Sequence, residues 1–297
     1  MRIVVLSRNP NLYSTRRLVE AAEQRGHQAV VIDHTRCYVV MEQNNPSIRI
    51  NGTVLTDVDA VIPRIGASVT AYGTSIVRQF EMQGVFTANQ AQGIVRSRDK
   101  LRSMQLLSGE GLGIPKTIFA NHGREVEDLI EQIGGTPFII KLVEGTQGVG
   151  VVLAETETTA KSMLETFYSQ GISILVQEFI KEARSSDIRA FVVDGKVVGS
   201  MKRTGRDGDF RSNLHQGGTA QLCSLTKDEE EAAVAAAHTL SLRVAGVDLL
   251  QSARGPLIME VNSSPGLQGI EAATGKDIAG AIVQFVEENV ERQRNEN

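Results

Sequence analysis

"KLVEGTQGVGV", residues 141–151, decides which nucleotide-binding architecture this chain can form. Lys141 and the glycines at 145, 148 and 150 could cradle a phosphate chain. Glycine admits positive φ and lets backbone N–H groups approach oxygen with no Cβ in the way. A Walker loop would need G-x-x-x-x-G-K-[ST] opening a helix, and no Lys-Ser or Lys-Thr follows these glycines. A dinucleotide fingerprint needs G-x-G-x-x-G between strand and helix, whereas both flanks here, "PFIIKLV" (137–143) and "GVVLAE" (150–155), are apolar and β-branched. The loop therefore joins strand to strand. A protein kinase also covers ATP with a glycine hairpin, but there the lysine follows the loop. Here it precedes the loop, HRD is absent, and the nearest approach to DFG is Asp209-Phe210-Arg211. Two readings stand: a hairpin that closes over phosphates with Lys141 neutralising them, and a plain β-hairpin with a flexible turn.

The composition sets the surroundings. With 297 residues, 41% hydrophobic and 22% charged, the chain has the balance of a water-soluble protein large enough for one big domain or two to three small ones. No apolar run approaches the ~20 residues of a membrane span, and "MRIVVLSRNP" is too short for a secretory signal. A cytoplasmic protein off the membrane is expected. Cys37 and Cys223 lack disulfide or metal spacing and read as buried or idle thiols. A net charge of −4 argues against binding along a nucleic-acid backbone, so no direct nucleic-acid partner is expected.

The amino-terminal third reads as alternating strands and helices. "RIVVLS" (2–7), a helix over "STRRLVEAAEQRG" with Ser14 as N-cap and Gly26 past its end, and "QAVVID" (28–33) form a β-α-β unit. A strand over 59–66 and a helix near 74–84 continue the pattern, so a parallel sheet is expected. The following helix is predicted to start at Ser97, with Leu101, Met104 and Leu107 on its apolar face, and a domain boundary is set just before it.

The densest chemistry lies in "AGVDLLQSARGPLIMEVNSSPG", residues 245–266. Two apolar runs flank "SARG", a predicted hairpin, and each carries one acid, Asp248 and Glu260. Buried unpaired carboxylates cost several kcal/mol, so each needs a cation or another strong partner. Glu260 and Asn262, two apart on a strand, face one side, and pairing about "ARG" brings Asp248 beside Glu260. Three hard oxygen donors suit Mg²⁺ or Mn²⁺ completed by phosphates and water, and one carboxylate could bridge two ions. The alternative is structural: Asp248 pairs with an arginine and Asn262 caps the loop at 263–266. Further upstream, "KRTGRDGDFRSNLHQGG" (202–218) is polar, glycine-rich and basic, either a solvated connector or a mobile loop able to clamp an anion. Its His215 reads as polar surface.

Together, the glycine hairpin after Lys141, the strand ending "VQEFIK" (176–181) and "D…MEVNSSPG" resemble the ATP-grasp superfamily of carboxylate-amine ligases. More closely, "VIPRIG", "RDKLRSMQLL", "KLVEGTQGVGVVLAE", "GDFRSNLH" and "GPLIMEVNSSPGLQGIE" resemble the RimK family, ligases that add glutamate to the C terminus of a small-subunit ribosomal protein. The resemblance spans nearly the whole chain. It implies an α/β fold with a small parallel pre-ATP-grasp domain (1–96), a subdomain bearing the glycine lid (97–183), and a subdomain with the metal site and a C-terminal helix (184–297).

The resemblance also implies roles. Lys100 and Lys141 would contact ATP phosphates, with Gly148 in the lid. Glu178, Phe179 and Ile180 would form the adenine hinge, and Asp187 would hold the ribose. Arg211, Ser212 and Asn213 would reach the phosphates, Lys141 and Arg211 stabilising the transferring group. Asp248, Glu260 and Asn262 would hold Mg²⁺ or Mn²⁺, as two ions. Arg64 and Arg203 are candidates for substrate carboxylates. The implied partners are L-glutamate and an acceptor-protein C terminus, and the implied product is one or more added glutamates; a homo-oligomer is compatible. Ligation of another acid and amine, or a nucleotide-binding regulator without catalysis, are the competing readings.

Overall fold

The computed structural model describes residues 1–120, 125–143, 150–206, 212 and 217–296; Gly145, Gly148, Arg211, Asn213 and His215 lie outside the described residues. The amino-terminal run forms β1 (Arg2–Leu6), α1 (Tyr13–Gln24) and β2 (Gln28–Ile32), the predicted β-α-β unit. A small antiparallel sheet of β3 (Cys37–Val40), β4 (Ser47–Ile50) and β5 (Thr53–Val54) intervenes. The chain then supplies β6 (Ala60–Pro63), α2 (Thr70–Met82) and β7 (Phe86–Thr87), followed by α3 (Ala91–Arg98) and α4 (Lys100–Gly109). The main sheet runs β2-β1-β6-β7, all parallel. A parallel sheet is covered on both faces. Accordingly Ile3, Val5 and Ile62 pack with α1, while Val4, Leu6 and Val61 alternate to the face of α2 and α3.

Three details differ from the sequence reading. Leu12, not Ser14, occupies the N-cap of α1. The Ser14 hydroxyl instead accepts from the Leu267 amide at 2.9 Å, a tertiary demand that overrides local capping. The helix expected from Ser97 is two helices, because the Asp99 carboxylate accepts from the Arg102 amide at 2.9 Å and caps α4, leaving Ser97 in α3. The strand expected to reach residue 66 ends at Pro63.

A second sheet, ordered β10-β9-β11-β8, is antiparallel. It comprises β8 (Thr117–Ala120), β9 (Phe138–Leu142), β10 (Val151–Ala154) and β11 (Ile174–Glu178), with α5 (Val126–Ile133) and α6 (Glu157–Ser169) on one face. Phe138, Ile140, Ile174 and Val176 pack against those helices. The strand period of two therefore turns Lys141 to the other face. Lys141 opposes Val151 in the β9–β10 hairpin, so the glycine stretch connects strand to strand as expected.

The third sheet is β14-β13-β12-β15-β16, built from β12 (Ser186–Val193), β13 (Lys196–Thr204), β14 (Thr219–Leu222), β15 (Val244–Ser252) and β16 (Gly255–Asn262). α7 (Lys227–Thr239) presents Ala233, Ala236 and Ala237 to Ile188, Val247, Leu249 and Val261 on one face. The polar stretch expected to be loop from residue 202 begins inside β13, so Arg203 is a strand residue paired with Asp187 and Ala220. α8 (Gln268–Thr274) and α9 (Ile278–Glu296) close the chain, and α9 packs back onto α1 in a core shared with the first sheet. None of the described helices is long and apolar enough to cross a membrane.

Asn89, 2% exposed between β7 and α3, clamps the first sheet to the third. Its amide donates to the Val244 and Ser263 carbonyls at 2.7 and 3.1 Å and accepts from the Arg243 and Val244 amides, both at 2.9 Å. Truncation leaves two buried donors and two acceptors unpaired. Asn89→Ala should lower unfolding stability by about 2–4 kcal/mol, read from urea denaturation; a loss below about 0.5 kcal/mol would contradict the clamp.

Candidate active site

Directly opposed residues share a sheet face. Asp187 opposes Arg203, Arg189 opposes Asp248, and Asp248 opposes Glu260, with Asn262 two positions further along β16. The face turned away from α7 therefore carries a row of charges across four strands. The Arg203 guanidinium donates to both oxygens of Asp187 at 2.6 Å and reaches Asp248 at 2.9 Å. Arg189 donates in bidentate fashion to Asp248, both bonds 2.7 Å. The Ser212 hydroxyl donates to Asp187 at 2.5 Å.

Asp187, Arg203 and Asp248 are 3, 5 and 2% exposed, so these pairs lie in low dielectric. Burial pushes the Asp248 carboxyl up, yet Arg189 and Arg203 together outweigh it and hold it below the ordinary carboxylate range. Burial likewise opposes the charge on Arg203, and Asp248 and Asp187 more than restore it, so its pKa is raised. The pairing with an arginine foreseen as the structural alternative for Asp248 is thus present. It does not saturate the carboxylate: three donors fall on Asp248, against about four acceptor directions on a carboxylate. Arg203, a candidate from sequence for a substrate carboxylate, is engaged on two carboxylates and nearly inaccessible.

Glu260 differs from its neighbours. It is exposed and makes no hydrogen bond or ion pair at contact distance among the described residues. Beside it the Asn262 Nδ2 is buried without a partner. Lys141 from the second sheet and Lys100 from the first turn of α4 lie within electrostatic reach of Glu260. Lys100 donates to the Leu142 carbonyl at 2.7 Å, which ties α4 to β9. Desolvation, with Lys100 as a like-charged neighbour, lowers Lys141 to about 8 although Glu260 and Asp248 oppose the change. Two lysines held together in a partly desolvated place create a demand for anions. Among the described residues no three His, Cys, Asp or Glu converge into a metal-binding cluster, so a cation here would depend on Asn262 and on substrate oxygens.

At the end of β11, Glu178 donates its amide to the Lys116 carbonyl at 2.9 Å, and its carboxylate accepts from Arg254 at 2.6 Å and from the Lys116 amide at 3.1 Å. This contact joins the tip of the β15–β16 hairpin to the strand that leads into half-buried Phe179 and buried Ile180. Arg64 follows β6, where desolvation and neighbouring Arg98 lower it to about 10. Sequence reading missed Arg189 and Arg98. The alternation Asp187-x-Arg189 on a strand was the available signal for the former; the latter depends on a helix break.

Residues 97–286 match the model of the RimK-like ATP-grasp domain, and residues 1–94 that of the RimK PreATP-grasp domain. The chain belongs to the RimK family. A "Probable alpha-L-glutamate ligase" of Vibrio cholerae serotype O1 is 60% identical over 294 residues, covering 99% of this chain and 98% of that one. Among solved structures, the ATP-grasp ligase PsnB in complex with a phosphomimetic variant of its minimal precursor, Mg and ADP aligns at TM-score 0.76, with 20% identity and 97% of each chain covered. The D-alanine–D-alanine ligase from Bacillus anthracis aligns at TM-score 0.70, with 18% identity and full coverage of both chains. The fold is therefore ATP-grasp, and this RimK-family chain is an ATP-dependent ligase.

The Lys141 environment gives a direct test. In ligand-free protein with ¹³C-methylated lysines, Lys141 should titrate near pH 8 by NMR, charged below and neutral above. A midpoint at the ordinary value of about 10.4 would show that the ammonium is not desolvated.

Proposed function

We propose that this chain joins L-glutamate to the C-terminal carboxylate of a protein acceptor, driven by cleavage of ATP to ADP and phosphate, and that the acceptor is a small-subunit ribosomal protein. The observation that carries the reading is the approach of Lys100 and Lys141, from one sheet and a helix start, to the free carboxylate of Glu260 on another sheet. Cations facing an unpaired acid suit a phosphate chain carrying its metal. The alpha-L-glutamate ligase name carried by relatives at 60% identity supports glutamate as the amine.

The donor set fits a hard divalent ion. Glu260 has both oxygens available, the Asn262 amide, whose nitrogen has no partner among the described residues, can turn its oxygen to a cation, and Asp248 keeps one acceptor direction beyond its arginines. We assign Asp248, Glu260 and Asn262 to Mg²⁺ or Mn²⁺, as a pair of ions. When bound, the metal would supply charge neutralisation for the phosphate chain.

The chain's own residues do the rest. Lys100 and Lys141 hold phosphate oxygens, and Arg211, Ser212, Asn213 and the Gly148 lid close over them. The backbone at Glu178, Phe179 and Ile180 reads adenine, and Asp187 meets the ribose at the edge of its pair with Arg203. Arg203 serves as a positioning residue that fixes Asp187 and Asp248, and Arg64 receives the acceptor carboxylate. One carboxylate oxygen attacks the γ-phosphorus, ADP leaves, and an acyl phosphate forms. The glutamate amine then attacks the acyl carbon, loses a proton and expels phosphate, giving the amide. Lys141 and Arg211 offset charge on the transferring group, and the lid excludes water that would hydrolyse the intermediate.

Glu260→Gln removes the unpaired carboxylate of this site and keeps the shape. Ligation followed by ADP release and product mass should fall by at least about 100-fold. Turnover within about twofold of the parent would sink the metal assignment, and a glutamate-free product from an amino-acid panel would redirect the substrate.

A further inference from the structure

The hairpin that carries Asp248 and Glu260 has a far end, and that end is tied to the segment after β11. At its tip the Arg254 guanidinium donates to the Glu178 carboxylate at 2.6 Å, and the Ala253 amide donates to the Glu182 carboxylate at 3.3 Å. Arg254 also lies within electrostatic reach of Glu182. Behind these polar ties, Leu250 and Leu257 of the hairpin pack on Ile180 and Ala183, around the short 3₁₀ turn Lys181–Ala183.

The linker between α4 and β8 completes the frame. The Ile258 amide donates to the Gly113 carbonyl at 2.7 Å, and a Cβ on Gly113 would sit 2.6 Å from the Pro256 carbonyl oxygen, so the missing side chain lets the linker run against β16. Three residues on, the Lys116 amide donates to the Glu178 carboxylate at 3.1 Å, and the Lys116 carbonyl accepts from the Glu178 amide at 2.9 Å. Hairpin, linker and strand end thus form a closed ring of contacts in which Arg254 to Glu178 is the link between two full charges. Asp248 stands four residues before the end of β15 at Ser252, about 13 Å along a strand. One hairpin therefore holds the acids assigned to the metal at one end and braces residues 178–183 at the other.

The charged link is ill suited to a stabilising role. The Arg254 and Glu178 side chains are 56 and 30% exposed, and exposed pairs add little to folding. Its placement gives it another use. A hinge that reads adenine through its backbone offers an N–H to ring atom N1 and a carbonyl to the exocyclic amine. Guanine carries a donor at N1 and an acceptor at O6, so each hinge group meets its like. That mismatch costs affinity only while the hinge backbone is held; a backbone free to turn re-pairs with the other base or with water. We infer that Arg254 is a positioning residue for nucleobase selection, fixing the hinge through Glu178 so that adenine is taken in preference to guanine. The inference rests on the reading of Glu178, Phe179 and Ile180 as the adenine hinge and adds the part that holds it.

The test uses the full-length protein with Mg²⁺. Dissociation constants for ADP and GDP are read by titration calorimetry, and KM and kcat for ATP-driven ligation by ADP release. The parent should bind ADP at least about tenfold tighter than GDP. Arg254→Glu sets a carboxylate against Glu178 and should weaken ADP binding about tenfold, raise KM for ATP by a similar factor, and leave GDP binding and kcat within about twofold. Arg254→Lys keeps the charge and should stay within about threefold of the parent for ADP. The urea midpoints of both variants should match that of the parent, which separates positioning from folding. An unchanged ADP-to-GDP ratio in Arg254→Glu, or an equal loss for both nucleotides, would overturn the inference and leave the adenine hinge standing. A parent that binds ADP and GDP alike would refute the hinge reading itself, and the inference with it.

Discussion

Three buried charges and one half-buried one on neighbouring strands, Arg203 with Asp187 and Arg189 with Asp248, are the constraint on which the site depends. Each pair occupies directly opposed positions, so ion pairing and strand register enforce one another. A one-residue slip of β12 would move Asp187 and Arg189 to the apolar face against α7. Removal of one partner would strand its neighbour's charge in low dielectric, which costs about 3–5 kcal/mol. The network spends its charges on itself, and what remains open at its edge is Glu260.

That edge is where the other parts meet. Lys141 reaches it because alternation along β9 turns the lysine away from the core of α5 and α6. Lys100 reaches it because Asp99 breaks one predicted helix into two and starts α4 at the right place. Arg98 ends the helix before the break and touches the first sheet through Ile65. Asn89 and the packing of α9 on α1 hold that sheet against the third. The site is therefore a junction of three sheets, and each contributes cations or carboxylates from a strand end or a helix start.

Much of this was legible in the sequence where the chemistry is local. The β-α-β start, the glycine stretch between two strands and the hairpin about "ARG" follow from runs of apolar residues and turn residues, and Asp248 does oppose Glu260. The remainder depends on partners far apart in the chain. Asp248 meets Arg189 across 59 positions, and Arg203 meets Asp187 only because β13 continues into a stretch whose glycines and charges suggested a loop. Ser14 was misread for a related reason: its hydroxyl serves the Leu267 amide from the far end of the chain rather than its own helix. Arg64 was singled out, but its company with Arg98 needed the tertiary packing of α3 on the first sheet, which no local pattern encodes.

The central claim is that an acceptor carboxylate is activated by direct attack on the γ-phosphate at this junction. Ligation of an acceptor peptide whose C-terminal carboxylate is labelled with oxygen-18 tests it most directly, with the released phosphate and nucleotide analysed by mass. The account predicts ADP and one oxygen-18 atom transferred into inorganic phosphate for each amide bond formed. Unlabelled phosphate, or label appearing in AMP, would contradict it.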